Sequence, residues 1–327
     1  MYMQQIEITA NEAGQRFNKM LEKYLNAAPK SFIYKMLRKK NITLNGKKAS
    51  GNEKLADGDM VSLFLADETI RKFSRPKIQK TTGKIDIIYE DEQVLLINKP
   101  VGLLSQKAAP DDISVVEYII SYLLASGQMT EDSLRSFRPG VCNRLDRNTS
   151  GILAAGKSMA GLQDMGRLFH DRSLQKYYLC IVRGKVSAPQ RIRGYLTKDE
   201  KANQVMVTKT EETGSMAIET EYVPLESGTE YSLLEVHLIT GRTHQIRAHL
   251  ASIGHPIAGD YKYGSRMVND HLKQAYGLTS QLLHSYRLEL PQNCGRLEQL
   301  AGQIFTASPP DLFHKIAKEV INGDLEF

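Results

Sequence analysis

An α+β fold is predicted for this chain: a small amino-terminal unit of helices and short strands, then a larger domain whose mixed, mostly antiparallel sheet carries flanking helices. Three observations predict it. Strand-like segments come in runs with only a few helical patterns between them, and no regular βαβ alternation supports a doubly wound sheet. Ten basic residues crowd into residues 16–48, against the single acid Glu22, on a chain whose net charge is only +6. Residues 69–84 are basic and polar, carry Pro76 and Thr81-Thr82-Gly83, and lack apolar periodicity, as a linker does. The expected boundaries are therefore residues 1–68, a linker at 69–84, and a second domain at 85–327.

Each element has its own warrant. Phe17, Met20, Leu21, Tyr24 and Leu25 recur at spacings of three and four and predict one helix. Ser31 can cap a second helix, whose apolar face is Ile33, Met36 and Leu37, so the lysines project from the opposite side. Ile42-Thr43-Leu44 runs into Asn45-Gly46, a strong hairpin signal, and residues 60–65 after Asp57-Gly58-Asp59 read as a closing strand. Beyond the linker, strands are predicted at residues 85–89, 94–97, 152–155, 177–182, 217–223 and 233–238. Helices are predicted at 115–124, at 159–169 with Ser158 as cap, at 243–252, and at 312–321 after Asp311. Residues 267–280 read as a variable loop near a cleft rim.

Composition excludes several classes. With 41% hydrophobic residues among 327, the chain can bury a real core. No apolar run approaches the roughly 20 residues that cross a bilayer, and residues 1–12 have neither a basic n-region nor an apolar h-region. A cytoplasmic protein with no membrane partner is expected, acting as a monomer. Cys142, Cys180 and Cys294 are far apart and form no C-x-x-C pair, so neither a disulfide framework nor a zinc site is indicated. Cys142 reads as a small packed hydrophobe. The spacing of His244, His249 and His255 fits no zinc template, and no metal is expected. The basic segment, with Arg38, Lys39 and Lys40 in sequence, suits a polyanion partner whose affinity falls with salt.

The chemistry centres on Asn143-Arg144-Leu145-Asp146-Arg147-Asn148-Thr149-Ser150-Gly151, which sets one carboxylate between two guanidinium groups in a segment too polar for core. Cations beside Asp146 keep it ionised and oriented, as a carboxylate nucleophile or base requires. The bland alternative is an Asx-type turn with two solvated arginines. In the segment from Thr240 to His249 a strand ends, Gly241 turns the chain, and a helix starts whose free N–H groups suit an anion such as a phosphate. Arg242 and Arg247 would point about 140° apart on that helix, so one can face Asp146 and the other the polyanion. His244 reads as a packing or phosphate-contacting residue. Along Gln175-Lys176-Tyr177-Tyr178-Leu179-Cys180, strand alternation sends the two tyrosines to opposite faces, and only one can look into a cleft with Asp146. A cleft tyrosine offers a ring for stacking and a phenol for proton transfer.

Together these segments resemble the RluA-type pseudouridine synthases. The resemblance runs over residues 85–308 and includes Asn98-Lys99-Pro100-Val101-Gly102-Leu103-Leu104, the Arg144-Leu145-Asp146-Arg147 core with Thr149-Ser150-Gly151, the strand of Lys176 and Tyr178, Gly241 through Arg247, Gly254-His255-Pro256-Ile257 with Gly259-Asp260 and Tyr263-Gly264, and Leu283-His284. Residues 12–67 resemble the RNA-binding domain first seen in a small-subunit ribosomal protein, the S-four domain. The resemblance implies that Asp146 is the catalytic carboxylate, that Tyr178 is the active-site tyrosine, and that Arg247 pairs with the aspartate. It also implies that Arg144 fills the gap left by a flipped base. Asn143 and Asn148 depart from the histidine and aspartate usual in the family.

The implied substrate is structured RNA, foremost 23S ribosomal RNA or the assembling large subunit, and the implied reaction needs no cofactor. An extruded uridine would be held in a dry pocket. Arg144, Arg147, Arg242, His244 and Lys176 would contact RNA around that pocket, and Arg38, Lys39 and Lys40 would hold it from the amino-terminal unit. The rival readings are an RNA-binding ribosome-assembly factor without catalysis and a synthase acting on transfer RNA. A glycosidase-like hydrolase fits less well, because two working carboxylates are usual there and only Asp146 stands out.

Overall fold

The computed structural model describes residues 3–74, 79–199 and 204–321, so Pro76 lies outside the described residues. The first elements are β1 (Gln4–Glu7), α1 (Phe17–Tyr24), α2 (Lys30–Arg38), β2 (Ile42–Leu44), β3 (Lys47–Lys48), β4 (Met60–Leu63) and α3 (Asp67–Phe73). Their strands form an antiparallel sheet in the order β1-β4-β2-β3, and the Asn45-Gly46 turn joins β2 to β3. The predicted apolar faces of α1 and α2 are buried together with Ile42, Val61 and Leu63 in one core. Two expectations are corrected. Pro29, not Ser31, precedes α2, its extended backbone leading the chain into the helix. The stretch from Thr69 is not irregular at its start. It lies within α3, where Ile70 is buried and Phe73 packs on Phe32 with ring centroids 4.7 Å apart. Two apolar residues three apart were too few to show as periodicity.

The remaining elements are β5 (Ile87–Glu90), β6 (Val94–Lys99), α4 (Val115–Ala125), α5 (Ser133–Ser136), β7 (Gly140–Val141), β8 (Ser150–Gly156), α6 (Met159–His170), β9 (Gln175–Arg183), β10 (Gln190–Asp199), β11 (Gln204–Thr208), β12 (Met216–Ser227), β13 (Tyr231–Leu238), α7 (Gln245–Ser252), α8 (Arg266–Tyr276), β14 (Leu283–Glu289), β15 (Ile304–Thr306) and α9 (Asp311–Ile321). Among the described residues they form an 11-stranded sheet ordered β11-β10-β12-β13-β9-β14-β8-β6-β5, with β15 beside β14 and β7 beside β8. All its pairings are antiparallel except β14 with β8. The fold is α+β with a mixed, mostly antiparallel sheet, as the runs of strands indicated.

That one parallel pairing positions the site. His284 and Ser285 of β14 lie beside Ser150 and Gly151 of β8. A Cβ on Gly151 would fall 2.2 Å from the Ser285 carbonyl oxygen, and its φ is +107°, so only glycine lets the two strands close here. The Ser150 hydroxyl donates to Nδ1 of buried His284, whose Nε2–H donates to the Ala307 carbonyl.

The small unit is docked on the large one. Ser136 of α5 donates from Oγ to the buried Glu12 carboxylate at 2.9 Å, and the Arg135 guanidinium stacks on the Tyr24 ring, 4.1 Å from its centroid. The Met159 N–H donates to the Asn11 carbonyl. Lys23, counted with the outward-facing lysines, lies instead over the Phe137 ring at this junction. Residues 267–280 are a further correction, since most of them belong to α8. Val268, Leu272 and Tyr276, each four apart, pack that helix on its neighbours, but only Leu272 of the three is buried and most of the other residues are polar enough to read as loop.

Candidate active site

Asp146 sits in the turn between β7 and β8. The Asx-turn alternative fails here, because the Asp146 backbone carbonyl, not the side chain, accepts the Thr149 N–H, leaving the carboxylate free to project. The segment after β6 fixes that turn from behind. The Lys99 ammonium, wholly buried, donates to the carbonyls of Pro100 and Leu103 at 2.8 Å and of Arg147 at 3.0 Å. Burial pushes its pKa down to about 8, against the pull of the Asp146 charge. Ser105 accepts the Leu145 N–H and donates to the Leu145 carbonyl. Residues on both sides of Asp146 are thus pinned by backbone contacts to residues 99–105.

Arg247 approaches from α7. Its Nη1 donates to Asp146 Oδ2 at 2.8 Å, while Nε and Nη2 donate to the two oxygens of Asp260 at 2.7 and 3.0 Å. A planar guanidinium with two of its donor directions fixed can present the third in only one direction. The Asp260 side chain is fully buried, and it also accepts the Lys262 N–H. Gly259, at φ +80° with a Cβ position 2.2 Å from the Ser280 carbonyl oxygen, sets the backbone that aims Asp260 inward. Burial alone would lower the Arg247 pKa, but bonds to Asp260 and the charges of both aspartates outweigh it and raise it, so the cation is permanent.

The choice left open between two arginines is resolved by the chain's own capping. The helix starts at Gln245, not at Thr243, because the Gln245 side chain folds back on the turn. Its Oε1 accepts from the Arg242 N–H and the Thr240 hydroxyl, and its Nε2 donates to the Glu219 carbonyl. The N–H groups expected to be free for an anion are therefore partly used internally. Arg242 stays exposed at the rim, whereas Arg247 is buried.

The tyrosines divide as strand alternation requires. Tyr178 lines the cleft, buried, with Ser285 hydrogen-bonded to its phenol. Burial pushes its pKa up to about 12, and the Asp146 charge acts the same way. A β-bulge in β14 between Ser285 and Arg287 lies directly beside the two tyrosines. Tyr177 takes the opposite face, stacked on His237 and beneath the Arg287 guanidinium.

The cleft has a volume of about 940 Å³, and its lining includes Arg144, Arg147, Arg172, Lys176 and Arg242. Lys176 is half-buried beside Gly241, and burial, then the Arg172 charge, brings its pKa down to about 8. Arg38, Lys39 and Lys40 are exposed at the end of α2 and are not part of this lining. The three histidines have separate partners: Tyr263 for His244, Thr220 for His249 and the Arg183 carbonyl for His255. Among the described residues no group of three or more His, Cys, Asp or Glu could hold a metal ion. Cys142 is packed against the core, its thiol pushed up to about 12 by burial.

Sequence reasoning gave no role to Lys99, Ser105, Gln245, Asp260 or Tyr263. For Asp260 a signal existed: a lone acid directly after a glycine in the segment from Gly254 to Gly264. For Gln245 and Ser105 nothing local marked them.

Residues 93–252 match the family model described as RNA pseudouridylate synthase. A ribosomal large subunit pseudouridine synthase C from Escherichia coli K12 is 32% identical over 294 residues, covering 87% of this chain and 87% of that protein. Its namesake from Haemophilus ducreyi is 32% identical over 317 residues, 93% of this chain and 91% of that one. Two solved human structures share the fold at 22% identity: RNA pseudouridylate synthase domain containing 4 (TM-score 0.56, 72% of this chain and 93% of that one) and domain containing 1 (TM-score 0.53, 71% and 86%). Relatives at this identity, matched over nearly their full length, fix the family of a chain whose ordered motifs already resembled it. This protein is a member of the RNA pseudouridylate synthase family and a pseudouridine synthase.

Proposed function

We propose that the chain isomerises specific uridines in 23S ribosomal RNA, with Asp146 as the catalytic carboxylate. The observation that carries the reading is the Asp146–Arg247 contact of 2.8 Å inside a cleft that also holds Tyr178. The curated relatives, named as ribosomal large subunit synthases, support the choice of RNA.

The reaction balances within the substrate. The bond from ribose C1′ to uracil N1 breaks, C1′ bonds to C5, the C5 proton leaves, and N1 gains a proton. No cofactor is required for that balance. Asp146 starts the exchange while Arg247 holds it in place; two unit charges 4 Å apart interact by roughly 4 kcal/mol at an effective dielectric of 20, before desolvation. Tyr178 is assigned as the stacking surface for the extruded uracil, worth roughly 1–3 kcal/mol. A phenol whose pKa lies near 12 is almost wholly protonated at neutral pH, so it is a poor base for the C5 proton.

Arg144, Arg147, Arg242 and Lys176 supply the positive rim for the strands beside the target, with Arg144 next to the space an extruded base vacates. The residues through α3 act as an S-four-like RNA-binding module, with Arg38, Lys39 and Lys40 on its open surface. One chain carries all three proposed catalytic side chains, which supports a monomer, and the ribosomal large subunit relatives support a place of action in the cytoplasm. The target is checked by mapping pseudouridine in ribosomal RNA from cells lacking this protein. Loss of specific large-subunit sites, restored by wild type and not by Asp146→Asn, is expected; an unchanged ribosomal map with lost transfer RNA sites would reassign the substrate.

A further inference from the structure

His244 stands out for its backbone. It is one of four non-glycine residues at positive φ among the described residues, at φ +54° and ψ +15°, immediately before α7. A histidine held in the left-handed region is strained, and such strain persists only where the surroundings over-determine it. The surroundings here are specific. The Tyr263 hydroxyl lies 2.9 Å from His244 Nδ1, and the two rings meet edge to face with centroids 5.7 Å apart. That same hydroxyl oxygen accepts the Val205 N–H at 3.0 Å.

These bonds select a tautomer. With its oxygen already accepting from Val205, the phenol needs an acceptor for its own hydrogen, and His244 Nδ1 is the one in reach. Nδ1 is therefore unprotonated, and the ring proton sits on Nε2. Nε2 lies 3.7 Å from Asp146 Oδ2, the oxygen that Arg247 Nη1 also holds. Among the described residues Asp146 Oδ1 takes no hydrogen bond, so the two carboxylate oxygens are not equivalent.

We propose that His244 is a positioning residue for Asp146: a neutral imidazole, its tautomer set by Tyr263, whose Nε2–H faces Oδ2 and leaves Oδ1 as the reacting oxygen. This rests on Asp146 being the catalytic carboxylate. The charge state suits the role, because Arg247 already supplies a cation and a second would make the carboxylate a weaker base or nucleophile. Burial lowers the imidazole's pKa; of the charges facing it, Asp146 and Asp260 act in the opposite sense and Arg247 and Lys262 in the same one. The neutral form is therefore the one present at physiological pH.

Two substitutions separate this role from a structural one. In His244→Gln the side-chain amide nitrogen reaches about where Nε2 lies, whereas in His244→Asn it reaches only as far as Nδ1. Asparagine also tolerates the left-handed backbone better, so the Asn variant keeps the fold while losing the donor. The full chain is assayed in single turnover on transcribed large-subunit ribosomal RNA tritiated at uracil C5, with RNA affinity and melting temperature measured alongside. His244→Asn is expected to melt no lower than wild type and bind RNA equally, yet turn over about 100-fold more slowly. His244→Gln recovers most of that rate, and Tyr263→Phe, which frees the tautomer, loses part of it at unchanged affinity. Wild-type rate in the Asn variant, or equal loss in Asn and Gln, overturns the proposal. Asp146→Asn in the same assay keeps the two ideas apart: turnover there sinks the role of Asp146 itself.

Discussion

Arg247 has its donors divided between two carboxylates, one fully buried and one reaching into the cleft. Arg247→Met would strand Asp260 as a buried, unpaired anion, which costs about 3–5 kcal/mol when one partner of such a pair is removed. The variant is expected to melt well below wild type and to lose rate far more than RNA affinity. Equal losses of rate and affinity would instead make Arg247 a phosphate contact. His249 and His284 give a second test, of pH. Burial is the largest influence on both, holding each down to about 4, while an unfolded histidine titrates near 6.5. The folded chain thus binds fewer protons between those values, so their contribution is whole above pH ~6.5 and is lost as pH falls towards ~4. Thermal melting followed across that window should show falling stability, and a flat profile would contradict the burial argument. At this scale a carboxylate in an otherwise polar turn and the alternation of a strand were local signals, whereas the choice of Tyr178 over Tyr177 and of Arg247 over Arg242 came from the family resemblance. Asp260 and Tyr263 were not, since each acts through a contact made only when distant segments meet.

Among the elements, the parallel junction of β8 and β14 does most to shape the site. Gly151→Ala combines a strained φ with a Cβ placed 2.2 Å from the Ser285 oxygen. A substitution at positive φ alone destabilises by more than about 1 kcal/mol, and the clash adds to it. Denaturant unfolding should show a loss above that figure, and a neutral effect would mean that the strands can part without harm. Periodicity revealed α1, α2, α4, α6 and most central strands. It missed β10, whose Gln190-Arg191-Ile192-Arg193-Gly194 start exposes one polar face and offers few apolar residues to alternate. It missed α8 for the related reason that Leu272 is its one buried apolar residue, with Val268 and Tyr276 only partly covered beside it. The length of α7 was misjudged because Gln245, a side chain rather than a backbone turn, starts that helix.

For the whole molecule, the small unit is joined to the large one by the Glu12–Ser136 bond and the Arg135–Tyr24 stack. Phosphates held at Arg38, Lys39 and Lys40 and a uridine in the cleft would then belong to one footprint. Changing those three residues to Gln in the intact chain is expected to weaken RNA binding and reduce the slope of log affinity against log salt by about 0.7–0.9 for each phosphate no longer neutralised. An unchanged slope would leave the basic surface without that role. The charge distribution set the basic amino-terminal segment apart from the rest of the chain, but α3 and the docking contacts left no composition signal. Catalysis as described depends on one carboxylate. Its most direct test is tritium release from uracil C5 by purified Asp146→Asn: no release is expected while RNA binding persists, and substantial release would contradict the role given to Asp146.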